Sequence, residues 1–381
     1  MKRKNLSSNG TSTHPRVRIL LSDSGRGLQI DADLLQNALQ QFGCEVEQVV
    51  LPSWSIRRTQ NSHRYAKLKK LLPTGIAERL DRCQVGLLGL GKTPVALQIH
   101  LESVAVEYLA AGALNWLIPN QEWVRPQHLC FFNQLDRVLV KTQEAEAIMR
   151  QHHAGVGLLG FSNPIAEAVS GINSDLSRFR RFLHVAGRNR KKGTQAIVDA
   201  WRRHPEWPVL QLVVDDTAAI QPVPANVNVW QHPDDEQLVA LHRANGIVLA
   251  PSEVEGYGHI LVEGMAFQGV VVTTDAAPMN ELVQTDRGYL VPWGKCEPCH
   301  LGTRYFVDAQ AIEKTVTELL VTPAQTLLQK SLTARAWVIS NHAAFTRKLR
   351  HELDVLTRFN PETDPVTPVL SKVAGIHSEQ P

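Results

Sequence analysis

The sequence is short of several things. Its 381 residues hold five cysteines, Cys44, Cys83, Cys130, Cys296 and Cys299. An odd number, scattered this widely, makes no disulfide framework and fits reduced thiols. Aromatic residues are 6% of the chain, charged residues 20%, and the net charge is only +3. That balance is far from a strongly basic DNA-binding domain and from a charged, disordered chain. No run approaches the roughly 20 apolar residues that a membrane-spanning helix requires. The most apolar candidate, residues 104–118, is short and carries Glu107. Residues 1–15 are basic without an apolar centre, so no secretory signal is expected and the expected location is cytoplasmic.

What is present suits two ordinary domains: 43% of residues are hydrophobic, and the length exceeds one usual core. Residues 1–15 and 361–381 read as loose tails rich in Ser, Asn, Thr and Pro. Between them apolar runs alternate with amphipathic segments, which predicts α/β units around parallel sheets. Strands are expected at 17–21, 46–51, 95–101, 114–118 and 137–141, with a helix at 31–42. After an irregular stretch at 161–175 the pattern restarts. Strands follow at 182–186, 210–214, 227–230, 246–250 and 270–273, and helices at 194–203, 235–244 and 259–268. The expected domains are 16–165 and 178–335, followed by a helix at 336–360.

Two stretches carry chemistry. In Pro251-Ser252-Glu253-Val254-Glu255-Gly256-Tyr257-Gly258-His259-Ile260, a buried strand ends, a glycine-punctuated turn follows, and a helix begins near Gly258. Backbone donors at Gly258, His259 and Ile260 then suit a diphosphate, because a helix N-terminus offers free amides and a favourable dipole. Glu255 and Glu263 stand eight positions apart, so both can face one cleft, and carboxylates suit vicinal sugar hydroxyls. Gly187-Arg188-Asn189-Arg190-Lys191-Lys192-Gly193 follows the first strand of the second domain. There Arg188 can fork onto phosphate oxygens, and Lys192 adds a point charge.

In this order and spacing the chain resembles the family 4 (group 1) retaining glycosyltransferases. The resemblance rests on Gly-Arg-x3-Lys-Gly at 187–193, Glu-x7-Glu at 255–263, Val-Val-Val-Thr-Thr at 270–274 and Asn280-Glu281, over about residues 180–293. It implies the GT-B fold: two doubly wound Rossmann-like domains facing across a cleft, with a C-terminal helix returning to the N-domain. It also implies a metal-independent transferase that uses a UDP- or GDP-sugar as substrate and no cofactor. Arg188 and Lys192 would then hold the donor diphosphate, Glu263 the ribose hydroxyls, and Glu255 would sit beside the transferred sugar. The leaving phosphate would help to take the acceptor's proton. Gly264 stands where alanine is usual in the family, and Tyr257 where phenylalanine is common.

In the first domain, Gly25 and Gly27 follow the first strand, where this architecture places a loop facing the donor phosphates. A plain strand-to-helix turn accounts for them equally well. His100 and Glu102 end one strand, and Asn120 and Glu122 follow another, in segments resembling one branch of the family. All four are acceptor-side candidates, with His100 read equally as a core histidine. The acceptor is left open among glycan, lipid, small molecule and DNA. The DNA reading comes from the basic residues Arg57, Arg58, Arg64, Lys67, Lys69, Lys70, Arg79 and Arg82 and from Lys2-Arg3-Lys4. A non-catalytic nucleotide-sugar binder is the other alternative.

Three motifs are set aside. Gly86-x4-Gly91-Lys92-Thr93 fits a phosphate-binding loop, but Pro94 and a strand-like run follow it where a helix is needed. Cys296-Glu297-Pro298-Cys299-His300 lacks a second ligand pair and is expected to be a surface loop. His152-His153 reads as polar surface.

Overall fold

The computed structural model describes residues 14–23, 25–52, 71–168, 171 and 173–357. Almost all of both expected tails, and the basic residues from Arg57 to Lys70, lie outside them. The first sheet is built from β1 (Arg16–Ser22), β2 (Glu45–Leu51), β3 (Val95–Glu102), β4 (Gly112–Pro119), β5 (Arg137–Val140) and β6 (Val156–Leu158). All described pairings are parallel, in the order β2-β1-β3-β4-β5-β6. β1 and β3 are buried on both faces, as central strands of a parallel sheet must be. Among the described residues, the α-helices of this half are α1 (Arg26–Gln41), α2 (Thr74–Leu88) and α3 (Gln143–Met149). α1 starts five residues before the expected helix. It lays Leu28, Ala32, Leu35 and Leu39 on the sheet, together with one carboxylate, Asp31.

α4 (Ile165–Ala168) lies in the connection. The second sheet contains β7 (Phe182–Gly187), β8 (Leu210–Val214), β9 (Val227–Trp230), β10 (Ile247–Ala250), β11 (Val270–Thr274) and β12 (Gly288–Val291). It is also parallel, in the order β12-β11-β10-β7-β8-β9. α5 (Thr194–Arg203), α6 (Asp235–Ala244), α7 (His259–Ala266) and α8 (Met279–Leu282) connect its strands. α6 opens with a capping box in which Asp234 and Gln237 satisfy each other's backbone amides. α5 needs glycine at its N-cap. Gly193 has φ 69°, and a Cβ there would lie 2.4 Å from the Pro251 carbonyl oxygen.

A hairpin, β13 (Lys295–Cys299) and β14 (Gly302–Phe306), precedes α9 (Ala309–Val321) and the long α10 (Ala324–Thr357). α10 starts within the second core through Leu327, then adds Ala334, Val338, Phe345, Leu349 and Leu353 to an apolar cluster shared with β1, β3 and α1. Arg137 of β5 holds Glu352 through a bidentate pair at 2.7–3.1 Å. The helix therefore returns to the first half, and the architecture is GT-B.

Several elements differ from the sequence reading. α10 begins twelve residues before the helix expected at 336–360. β6, only three residues long and bracketed by glycines, has too little apolar sequence to stand out. Cys296 and Cys299 are on a strand rather than in a surface loop. Three positions apart on a strand, their side chains point to opposite faces. The Gly86–Thr93 stretch runs from the end of α2 into β3, the reverse of the strand-to-helix order that a phosphate loop requires.

Candidate functional site

Ligands of open parallel sheets gather where the strand order reverses. In the second sheet that point lies between β7 and β10, and the two loops singled out in the sequence leave these two strands. Lys192 Nζ lies 2.5 Å from Glu255 Oε1, with the two side chains 14% and 10% exposed. Glu253 N donates to the Lys191 carbonyl at 2.9 Å, which ties the loops together. Beneath them His184 is enclosed, bonded to the Leu249 carbonyl at 2.7 Å and to Thr194 Oγ1 at 2.9 Å. Burial, with Lys192 nearby, pushes its pKa down to about 4, so it is neutral. Arg188 stands almost wholly in solvent, loosely paired with Asp215 at 3.3 Å.

Gly258 (φ 107°) is the N-cap of α7. The amides of His259 and Ile260, in the helix's first turn, have no acceptor one turn earlier. Glu263 lies one turn further in, where Asn163 Nδ2 donates to its Oε1 at 3.2 Å. Burial raises the Glu263 pKa against the opposing fields of His259, Arg26 and Lys192. A Cβ at Gly256 would stand 2.4 Å from Asn120 Oδ1, so the close approach there is made by the first domain.

The facing side is dense with polar groups. Asp31 pairs with Lys141, and each side chain is 2% exposed. Lys141 also donates to Asn120 Oδ1 at 2.9 Å and sits 4.5 Å from the Phe161 ring centre. Burial pushes the Asp31 pKa up, but Lys141 and His259 outweigh it and leave the carboxyl below its ordinary value. Gln121 Nε2 donates to the Glu255 carbonyl at 3.1 Å. Glu122 is 5% exposed, and its Oε2 has no partner among the described residues. Burial, then the nearby Glu255 and Glu102 carboxylates, push its pKa up to about 8. Glu102, with φ 65°, accepts from Ser22 Oγ at 3.0 Å.

His100 is inside the sheet. Its Nδ1 accepts from the Ala105 amide at 3.0 Å, and its Nε2 faces Asn115 Oδ1 at 3.3 Å. Burial lowers its pKa to about 4. The histidine at the domain junction is instead His259, bonded to Asp31 Oδ1 at 2.7 Å. Gly25 (φ 130°) and Gly27 start α1 nearby, and a Cβ at Gly27 would meet His259 Cδ2 at 3.8 Å. Sequence reasoning missed Asp31, Lys141 and Asn163. The available signals were a carboxylate on the apolar face of α1 and a lysine closing the buried strand β5.

The hairpin β13–β14 covers one end of the site. Glu253 anchors it by pairing with Arg304 and accepting the Tyr305 amide at 2.7 Å. Cys299 Sγ donates to the Glu122 carbonyl at 3.7 Å, and Lys191 lies 4.6 Å from the Trp123 ring centre. Glu281 caps the first domain's α3, taking the amides of Gln143 and Glu144 at 2.7 and 2.9 Å. A hollow of about 690 Å³ on α6 is lined by Asp235, Val239 and Arg243 among others, and Asp235 pairs with Arg26 of α1 at 2.8 Å. Among the described residues no three His, Cys, Asp or Glu side chains converge as metal ligands, and no helix is long and apolar enough to cross a membrane.

Residues 176–297, which carry both second-sheet loops and α7, match the family described as glycosyl transferases group 1. The match covers about a third of the chain, and the fold is GT-B. Its fold is similar to that of a glycosyltransferase from Rickettsia africae ESF-5 (TM-score 0.62, 11% identity), covering 91% of this chain and 100% of that one. It is likewise similar to Anabaena Alr3699/HepE in complex with UDP and glucose (TM-score 0.59, 14% identity, 90% and 100% covered). Sucrose-phosphate synthase from Thermosynechococcus elongatus gives a TM-score of 0.62 at 14% identity, with 91% and 100% covered. No curated protein sequence matches the chain. The group 1 match stops at the second half; the first half shares only the fold.

Proposed function

We propose that this protein is a group 1 glycosyltransferase that transfers a sugar from a UDP- or GDP-sugar to its acceptor with retention of configuration. The observation that carries the reading is the Lys192–Glu255 pair at the strand-order reversal, beside the free N-terminus of α7. Arg188 and Lys192 neutralise the charge that grows on the departing diphosphate, and the His259 and Ile260 amides face the same group. Glu263 takes the ribose hydroxyls, with Oε2 left over from the Asn163 bond. Glu255 stands beside the transferred sugar, held by Lys192. Gly25 and Gly27 bring the start of α1 against this donor end.

Glu102, Asn120 and Glu122 form the acceptor end. His100 is assigned a structural part there, because both ring nitrogens are engaged inside the sheet. The leaving phosphate takes the acceptor proton, so no second carboxylate is needed as a base. HepE, described with UDP and glucose bound, makes UDP-glucose the first donor to try.

A thermal-shift screen against UDP, GDP, ADP and their sugar conjugates tests the donor assignment, since a ligand of the native state raises Tm. One nucleotide family should shift the wild type but not Arg188→Ala or Glu263→Ala. No shift with any of them overturns the assignment. A product whose anomeric configuration is inverted, read by NMR coupling constants, overturns retention.

A further inference from the structure

Asn163 precedes α4, in the connection between the two halves. Its Oδ1 accepts the Ile165 amide at 3.0 Å, which fixes the orientation of the side-chain amide. Nδ2 therefore points at both His259 Nδ1, 3.1 Å away, and Glu263 Oε1, 3.2 Å away. An amide nitrogen only donates, so His259 Nδ1 must accept and its proton sits on Nε2. That Nε2–H donates to Asp31 Oδ1 at 2.7 Å, and the other Asp31 oxygen is held by Lys141. The chain of contacts runs from Lys141 and Asp31 in the first domain, through His259 and Asn163, to Glu263 in the second.

We propose that Asn163, Asp31 and Lys141 are positioning residues that set Glu263 and the start of α7 for the donor when the two halves meet. This rests on reading the crevice as a nucleotide-sugar site. The relay joins groups from both domains and from the connection between them. It ends on the helix whose N-terminus and glutamate are assigned to the donor, so separation of the halves breaks it. Tyr257 and Asn341 brace the same joint: the tyrosine hydroxyl and the Asn341 amide both donate to the Phe161 carbonyl, at 2.8 and 2.7 Å. Phe161 in turn presents its ring to His259 and Lys141.

The test measures Kd for UDP and for 2′,3′-dideoxy-UDP by calorimetry on the full chain, as wild type, Asn163→Ala and Asn163→Ser. Serine can still accept the Ile165 amide, so this second variant guards against misfolding. Wild type is expected to prefer UDP about tenfold, the worth of a charge-assisted hydrogen bond, and both variants to fall within about twofold. Variants that keep the wild-type preference overturn the proposal.

Nitrogen-15 NMR of the His259 ring is the second readout, because only a side chain that donates to Nδ1 would move that nitrogen's signal. An Nε2–H tautomer whose Nδ1 resonance shifts in Asn163→Ala supports the relay, and an unchanged ring signal overturns it. If wild type binds neither nucleotide, or binds both equally, the donor reading fails, and the ring signal alone decides on the relay.

Discussion

In the second sheet the strand order reverses between β7 and β10, and the loops there carry Arg188, Lys192, Glu255 and the start of α7. In the first sheet it reverses between β1 and β3, where Ser22 bonds to Glu102 and Glu122 lies buried nearby. The topology is alike, and the chemistry is opposite. The second crevice offers cations and free amides, which suit an anion. The first offers carboxylates, one of them pushed toward its neutral form, which suits hydroxyls and opposes phosphates. One wound sheet thus serves two kinds of ligand by changing only what stands at its strand ends. It also weakens the DNA reading, since phosphates would meet Glu102, Glu122 and Glu255.

The comparison can be broken where the two halves join. Lys141→Met leaves Asp31 as a buried carboxylate short of its cation and should cost about 3–5 kcal/mol, read as a fall in the denaturation midpoint. The double variant Lys141→Met/Asp31→Leu should recover much of it. Lys192→Ala should instead act on turnover, lowering kcat about 10²–10³-fold, the usual effect of losing a group that stabilises transition-state charge. If it lowers kcat by less than about tenfold, the second crevice is not the anion-holding one.

pH separates the halves next. Glu122 has a raised folded pKa, so the native state binds the extra proton and stability falls as pH climbs from 4.5 toward about 8. Glu122→Gln should remove that fall, worth on the order of 4–5 kcal/mol by pH 8, as seen in Tm measured across the window. His100, His184 and His242 behave in the opposite sense. Their folded pKa values are lowered from 6.5 to about 4, so their contribution is complete above 6.5 and lost as pH falls toward 4. Because these histidines lie in both halves, acid should loosen both, and a variant such as His184→Gln should flatten the acid limb. The smallest effect is expected at the hairpin. Arg304→Ala should cost about 1 kcal/mol and show as faster hydrogen exchange over 295–306, with the sheets unchanged.

Legibility followed local physics. α5 was readable to the residue, because Gly193 starts it and Ile197, Val198 and Trp201 repeat at helical spacing. β10 is a continuous apolar run and β7 and β11 are nearly so, as buried parallel strands read. The Lys192–Glu255 pair could be anticipated as two loops leaving adjacent strands, but its contact could not. Asp31 looked like one polar residue in α1, since its partners are 110 and 228 positions away. His100 was ambiguous because only the surrounding sheet shows that both its nitrogens are engaged.

The sequence by itself determined the two-sheet plan, the order of units and the two loops that leave β7 and β10, because periodicity, glycine position and strand-end spacing act within a few turns of chain. Tertiary structure alone decided how the halves meet. The Asp31–Lys141 pair, the Glu281 cap on α3, the Asn120–Gly256 contact and the hairpin over Glu122 all join residues far apart in the chain. Such contacts rest on long-range geometry and on the desolvation of charges, which no local pattern encodes.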